Sequence, residues 1–98
     1  MTLDTKAKFN ALQNAKHIFA FKEEQIEFKI LEIVDAEVGC KAVVMTKDGE
    51  VEGLFTDSAS AKYALNEVYT VFGKDQPFIK VNLKTTPKGA SVYFVEVL

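Results

Sequence analysis

Cysteine is nearly absent: one thiol, Cys40, stands in 98 residues, so an internal disulfide, and with it a stapled secreted scaffold, is excluded. Cys40 is expected as a small core residue. Histidine is as scarce, and without a second His or Cys beside His17 neither a conventional zinc site nor a Cys-His nucleophile pair can be assembled. His17 is expected at a surface or boundary position on a helix flank. The five glycines are scattered and no Gly-Lys-Ser or Gly-Lys-Thr occurs, which removes the phosphate-cradling loop. Carboxylates are dense from Glu23 to Glu37 but lack the paired-Asp spacing of a Mg²⁺ or Ca²⁺ loop. No metal or cofactor is implied, no catalytic constellation is recognisable, and a non-enzymatic protein is the expectation.

An excess of basic charge is missing too. Twelve basic residues against fourteen acidic ones leave a formal charge of −2, which excludes the lysine-rich coat that blankets duplex DNA. No stretch approaches the roughly 18 apolar residues of a membrane span, and Met1-Thr2-Leu3-Asp4 is not a basic segment leading into an apolar run. A cytoplasmic protein without a membrane partner is expected.

What the chain does have is core material. Hydrophobic residues make up 48% of it, with eight Phe and three Tyr, enough to fill the interior of one domain of this length. Charge is unevenly placed. Lys6, Lys8, Lys16 and Lys22 dominate residues 1–22, an acidic strip from Glu23 through Glu27 and Glu32 to Glu37 follows, and Lys80, Lys84 and Lys88 near the end face only Glu96. Such runs serve either as solvated surface or as docking surface.

Periodicity predicts the order of elements. Thr2 or Asp4 can cap a helix over residues 4–19, with Leu12, Ala15, Ile18 and Phe19 on its apolar side. Ile26, Phe28 and Ile30 then alternate as in a half-buried strand, and the phase slips at Ile30-Leu31, the mark of a bulge, a bend or a strand end. Strands 40–47 and 50–56 flank Asp48-Gly49, a two-residue hairpin signal. That turn would set Val44 opposite Gly53 and Ala42 opposite Phe55, giving a core face of Cys40, Ala42, Val44, Val51 and Phe55. Asp57 or Ser58 caps a second helix carrying Ala61, Ala64, Leu65, Val68 and Phe72, which stops at Gly73. Residues 78–84 and 91–98 form a final hairpin around Pro87, and its last strand, apolar on both faces, calls for a buried position or a covered edge.

Without the first helix, the order is a long bent strand, a hairpin, a helix and a second hairpin, the connectivity of a five-stranded Greek-key OB barrel. The segments Phe28-Lys-Ile-Leu-Glu-Ile-Val-Asp35, Gly39-Cys-Lys-Ala-Val-Val-Met-Thr-Lys-Asp-Gly49 and Thr85-Thr-Pro-Lys-Gly-Ala-Ser-Val-Tyr-Phe94 resemble small OB-fold single-stranded DNA-binding proteins of tailed bacteriophages. The expected fold is therefore α+β, mainly β: one domain of residues 1–98, with an N-terminal helix and connection over 1–22 and a five-stranded antiparallel OB-like barrel over 23–98, a helix lying between strands three and four. The resemblance implies binding of single-stranded DNA in phage or mobile-element replication or recombination, as a dimer or larger assembly, alongside replication or recombination proteins. Helix, three strands and helix is also the order of a double-stranded RNA-binding domain. However, Ser58-Ala-Ser-Ala-Lys62 offers one lysine where that module clusters several, and two strands would be left over.

Single strands are held by aromatic stacking and by lysines that follow the phosphates. The candidate residues are Lys41 and Lys47 on the first hairpin, Phe78, Lys80 and Lys84 on the fourth strand of the barrel, Lys88 in the turn, and Tyr93 or Phe94 as a further platform. Phe78 stands out because it is in phase with lysines and out of phase with Ile79, Val81 and Leu83. Glu50 and Glu52 oppose this reading if they share the lysines' face. The alternative is a protein-interaction module that docks on a host or phage protein through the acidic strip and the first helix.

Overall fold

The computed structural model describes residues 5–35 and 39–98. Thr2 and Asp4, the expected caps of the first helix, lie outside the described residues, as does Glu37 of the acidic strip. The elements are α1 (Thr5–Gln13), β1 (Lys16–His17), α2 (Ile18–Glu23), β2 (Phe28–Asp35), β3 (Cys40–Thr46), β4 (Val51–Thr56), α3 (Ala59–Phe72), β5 (Ile79–Thr85) and β6 (Ser91–Val97). They build a mainly-β α+β fold around one curled sheet in the order β1-β4-β3-β2-β5-β6. All neighbours pair antiparallel except β1, which runs parallel to β4.

Two expectations are corrected here. Among the described residues the strands number six, and the sheet is a half-barrel whose β4 and β6 do not pair with each other. Each of those two edges has another neighbour. Lys16 and His17 of β1 pair with Leu54 and Phe55 along β4, and Ser60 of α3 reaches the outer edge of β6, accepting a hydrogen bond from Tyr93 N at 3.2 Å.

The N-terminal region, expected as one helix, is two helices around the short strand β1. The helical hydrogen-bond ladder ends with Asn14 N donating to Asn10 O at 3.1 Å, and His17 starts a new helix as the N-cap of α2, its Nδ1 accepting from Phe19 N at 3.1 Å. The break rotates the second segment. Ile18 and Phe21 of α2 are fully buried, while Phe19 faces outward. Phe21 packs edge-on against Phe28 of β2, with centroids 5.2 Å apart, so α2 seals the concave side of the sheet.

The phase slip read at Ile30-Leu31 is a β-bulge: the β2–β3 register shifts between Ile30 and Glu32. The extra residue bends β2 and strengthens its twist, which curls the sheet. On its other side β2 meets β5 in register only at Phe28↔Ile79, so the two strands diverge beyond that pair.

The first hairpin departs from its expected register by one residue. Thr46 N donates to Glu50 O at 2.8 Å and Gly49 N to Thr46 O at 2.9 Å, which makes residues 47–49 a three-residue loop with Gly49 at φ +87°. A three-residue turn closed by a left-handed glycine competes with the two-residue turn for the same Asp-Gly signal. Ala42 consequently opposes Leu54, and Lys41 opposes Phe55. Because side chains alternate with period two, that one step sends Leu54 into the core and Phe55 to the outer face.

The core consists of Ile18, Phe21, Phe28, Ile30, Cys40, Ala42, Val44 and Leu54, closed by Ile79 and Val81 of β5 and by Ala61, Leu65 and Val68 of α3. Helix α3 begins where Ser58 Oγ accepts from Ala61 N at 3.3 Å and ends at Gly73, φ +56°. Both caps follow the sequence signals. On the convex side α1 lies across β4 and β3, and Lys8 on it reaches Glu32 of β2 at 2.9 Å.

Candidate nucleic-acid interface

Alternation along β5 sorts its side chains cleanly. Ile79 and Val81 are buried, while Phe78 and Lys80 of the opposite phase are half-buried and Lys84 is exposed. Residues directly opposite one another in an antiparallel ladder share a face, and the register sets Lys80 against Glu96, Asn82 against Phe94 and Lys84 against Val92. The convex face of the β5–β6 ribbon therefore carries Phe78, Lys80 and Lys84 together with Phe94, which is 41% exposed, and with one carboxylate, Glu96, opposite Lys80. Beyond Thr85 the chain turns through Gly89, φ +83°, with Thr86 N donating to Ala90 O at 2.7 Å, and Lys88 stands exposed in that turn.

Lys29 completes the ribbon's lower end, its Nζ 5.6 Å from the centroid of the Phe78 ring, within cation–π range. This neighbour was hidden in the sequence, because it follows from the single point of contact between β2 and β5.

Tyr93 is placed differently from expectation. It opposes Leu83 on the concave side and packs against the core, since odd-numbered residues of β6 face Val81 and Ile79. Burial, with the Asp57 carboxylate as a lesser cause, holds its hydroxyl above the ordinary tyrosine range. Phe94, one residue on, is the aromatic that shares the lysines' face.

Lys41 and Lys47 do not join the ribbon. Lys41 opposes Val34 of β2, six residues from Phe28, so about 20 Å along the strand from where β5 joins. It lies instead beside Phe55, whose ring meets His17 edge-on at 5.1 Å. Lys47 is engaged by Glu27, through its Nζ at 3.5 Å and its backbone N at 3.0 Å. The acidic objection eases for Glu52, which shares Val44's side of the hairpin and binds Lys16 Nζ at 3.1 Å. That contact raises the Lys16 ammonium above its usual range. Glu50 stays exposed beside the turn.

Where β2 and β5 diverge, a cavity of about 510 Å³ opens between Lys29, Ile30 and Leu31 of β2 and Tyr69, Lys74 and Gln76 at the end of α3. The Gln76 amide nitrogen donates to Tyr69 O and Gly73 O at 3.0 and 2.7 Å, satisfying carbonyls at the helix end. Among the described residues its Oε1 is buried with no hydrogen-bond partner. No three His, Cys, Asp or Glu side chains gather to hold a metal ion among the described residues, and no described helix is long and apolar enough to cross a membrane.

The arrangement offers two aromatic faces, Phe78 and Phe94, flanked by Lys29, Lys80, Lys84 and Lys88, on one side of a two-stranded ribbon. Comparison with models of known protein families, with curated protein sequences and with solved structures yields no match to this chain.

Proposed function

We propose that this protein binds single-stranded nucleic acid, DNA in the first instance, without strong sequence preference and without catalysis. The observation that carries the reading is the shared face of Phe78, Lys80, Lys84 and Phe94, because stacking platforms interleaved with lysines suit an unpaired strand. Lys29 beside Phe78 and Lys88 in the turn extend the basic track at both ends.

The connectivity supports the same reading. Without the two-residue β1, a bulged long strand is followed by a hairpin, a helix and a second hairpin, the order of the OB barrel. In this view the protein is an OB-like sheet opened at the β4–β6 seam. A role in phage or mobile-element replication or recombination, and assembly as a dimer, rest on the resemblance alone.

Docking through the acidic strip and first helix has less support. Glu32 and Glu27 are engaged by Lys8 and Lys47, and α1 lies on the sheet of its own chain.

The test is titration of a fluorescent oligo-dT at several salt concentrations. Binding should weaken steeply as salt rises, because phosphate contacts release counterions, and Lys80→Ala with Lys84→Ala should flatten that slope. No binding at low salt, or affinity indifferent to salt, overturns the proposal.

A further inference from the structure

The strand β2 outruns β5. Its one registered pair with that strand is Phe28↔Ile79. Glu27 O accepts from Lys47 N on the β3 side, which fixes the alternation: the backbone groups of Phe28 and Ile30 turn the other way, toward β5. Continuing the antiparallel pairing brings Lys29 opposite Phe78 and Ile30 opposite Pro77. Lys29 does stand over the Phe78 ring. Pro77 has no N–H, so the Ile30 carbonyl meets no ladder donor and the pairing stops. At this stop the cavity of about 510 Å³ opens between β2 and the end of α3.

The lining is chemically selective. Lys29 and Lys74 are its charged residues, and no carboxylate joins them among the described residues; Asp75 on the same loop is exposed and outside the lining. Carbonyls at a helix end repel an anion, but here the Gln76 amide nitrogen occupies those of Tyr69 and Gly73. Leu31 and Tyr69 add apolar surface. Two acceptors in the wall lack a donor: the Ile30 carbonyl opposite Pro77, and Gln76 Oε1, buried without a partner among the described residues. Such acceptors call for N–H groups, the lysines for negative charge, and Leu31 and Tyr69 for a flat apolar body. A phosphate alone brings only the charge, whereas a nucleotide brings all three.

We infer that this cavity takes one nucleotide of the bound strand, its base turned out of the stack to offer N–H groups to Ile30 and Gln76, its phosphate held between Lys29 and Lys74. The inference rests on the single-strand reading above and gives it a second kind of contact. Position ties the cavity to the ribbon: Lys29 lines the one and lies over the Phe78 ring of the other. A strand laid along Lys84, Lys80 and Phe78 therefore arrives at the cavity mouth. The volume falls within the range of about 300–1,000 Å³ usual for small-ligand sites. A turned-out base is read by hydrogen bonds to its pairing edge, and every natural base carries an N–H there, so the cavity suits a binder without strong sequence preference.

The probe is thymidine 5′-monophosphate, followed through the protein's amide resonances, with thymidine and inorganic phosphate as controls and oligo-dT alongside. The nucleotide should shift Leu31, Gly73 and Lys74 and bind about fivefold or more tighter than either control. Lys74→Glu, at an exposed position off the ribbon, should weaken it about fivefold or more. Oligo-dT should shift the same three amides in addition to those of Lys80 and Phe94. Oligo-dT that moves Lys80 and Phe94 but not Leu31, Gly73 and Lys74 overturns this inference and spares the single-strand reading. Oligo-dT that does not bind, while the mononucleotide still fills the cavity, overturns the strand as the source and supports the nucleotide site. No shift of the three amides by up to about 10 mM mononucleotide, or equal shifts with phosphate alone, overturns the nucleotide site itself.

Discussion

Gly53 of β4 lies so close to Ala11 of α1 that a Cβ at Gly53 would stand 2.0 Å from the Ala11 carbonyl oxygen. The contact is backbone on backbone, so no rotamer change relieves it. The missing side chain is what lets α1 settle over Val43, which is fully buried although it points to the convex side of β3. Gly53→Ala is expected to lift α1 and to cost about 1–3 kcal/mol as an overpacked contact. Urea unfolding measures the loss, and faster amide exchange confined to residues 5–13 identifies its source.

The one-residue register of the first hairpin separates Leu54 from Phe55. Leu54 is wholly enclosed, so Leu54→Ala should destabilise the domain by about 2–5 kcal/mol. Phe55 is 36% exposed on the outer face against His17, and its truncation should cost distinctly less. Equal losses in thermal unfolding would contradict the observed register.

On the β5–β6 ribbon the neighbouring aromatics should divide their roles. Phe94→Ala should leave the fold intact and weaken oligo-dT binding by about 1–3 kcal/mol, the worth of one stacked base. Tyr93→Ala, with its ring on the core, should lower the unfolding midpoint instead. Oligonucleotide titration and thermal unfolding of both variants decide the matter, and a reversed pattern would place the interface on the wrong face.

Tyr93 also predicts a pH dependence. Its hydroxyl holds its proton more tightly in the folded chain than at the ordinary value of 10.0, so the unfolded chain releases that proton first. Stability from this group is complete below about pH 10 and falls as pH rises through the folded value. The raised ammonium of Lys16 acts in the same direction, with its own loss setting in above its ordinary 10.5. Between about pH 9 and about pH 11, Tyr93→Phe should therefore lose less stability than the parent protein in urea titrations.

Local signals accounted for much of the chain. Ser58 and Gly73 bound α3 because a hydroxyl cap and a left-handed glycine need only their immediate neighbours. An irregularity at Ile30-Leu31 was legible because a period-two pattern cannot slip without a bulge, a bend or a strand end, and the register of β2 on β3 makes it a bulge; the opposite phases of Phe78 and Ile79 were legible from the same period. Phe55 was misplaced because Asp48-Gly49 serves two loop lengths, and the choice between them depends on which register buries Leu54.

The sequence by itself determined the mainly-β character of the fold, the stops and starts of most strands and α3, and the basic phase of β5, all consequences of spacing between near neighbours. Only the tertiary structure decided that β1 would occupy β4 and Ser60 would meet the edge of β6, leaving the sheet open, that α1 and α2 would part at His17, and that Lys29 would join Phe78. Those outcomes depend on close approaches and edge pairings between residues far apart in the chain, where burial of the whole core outweighs local periodicity.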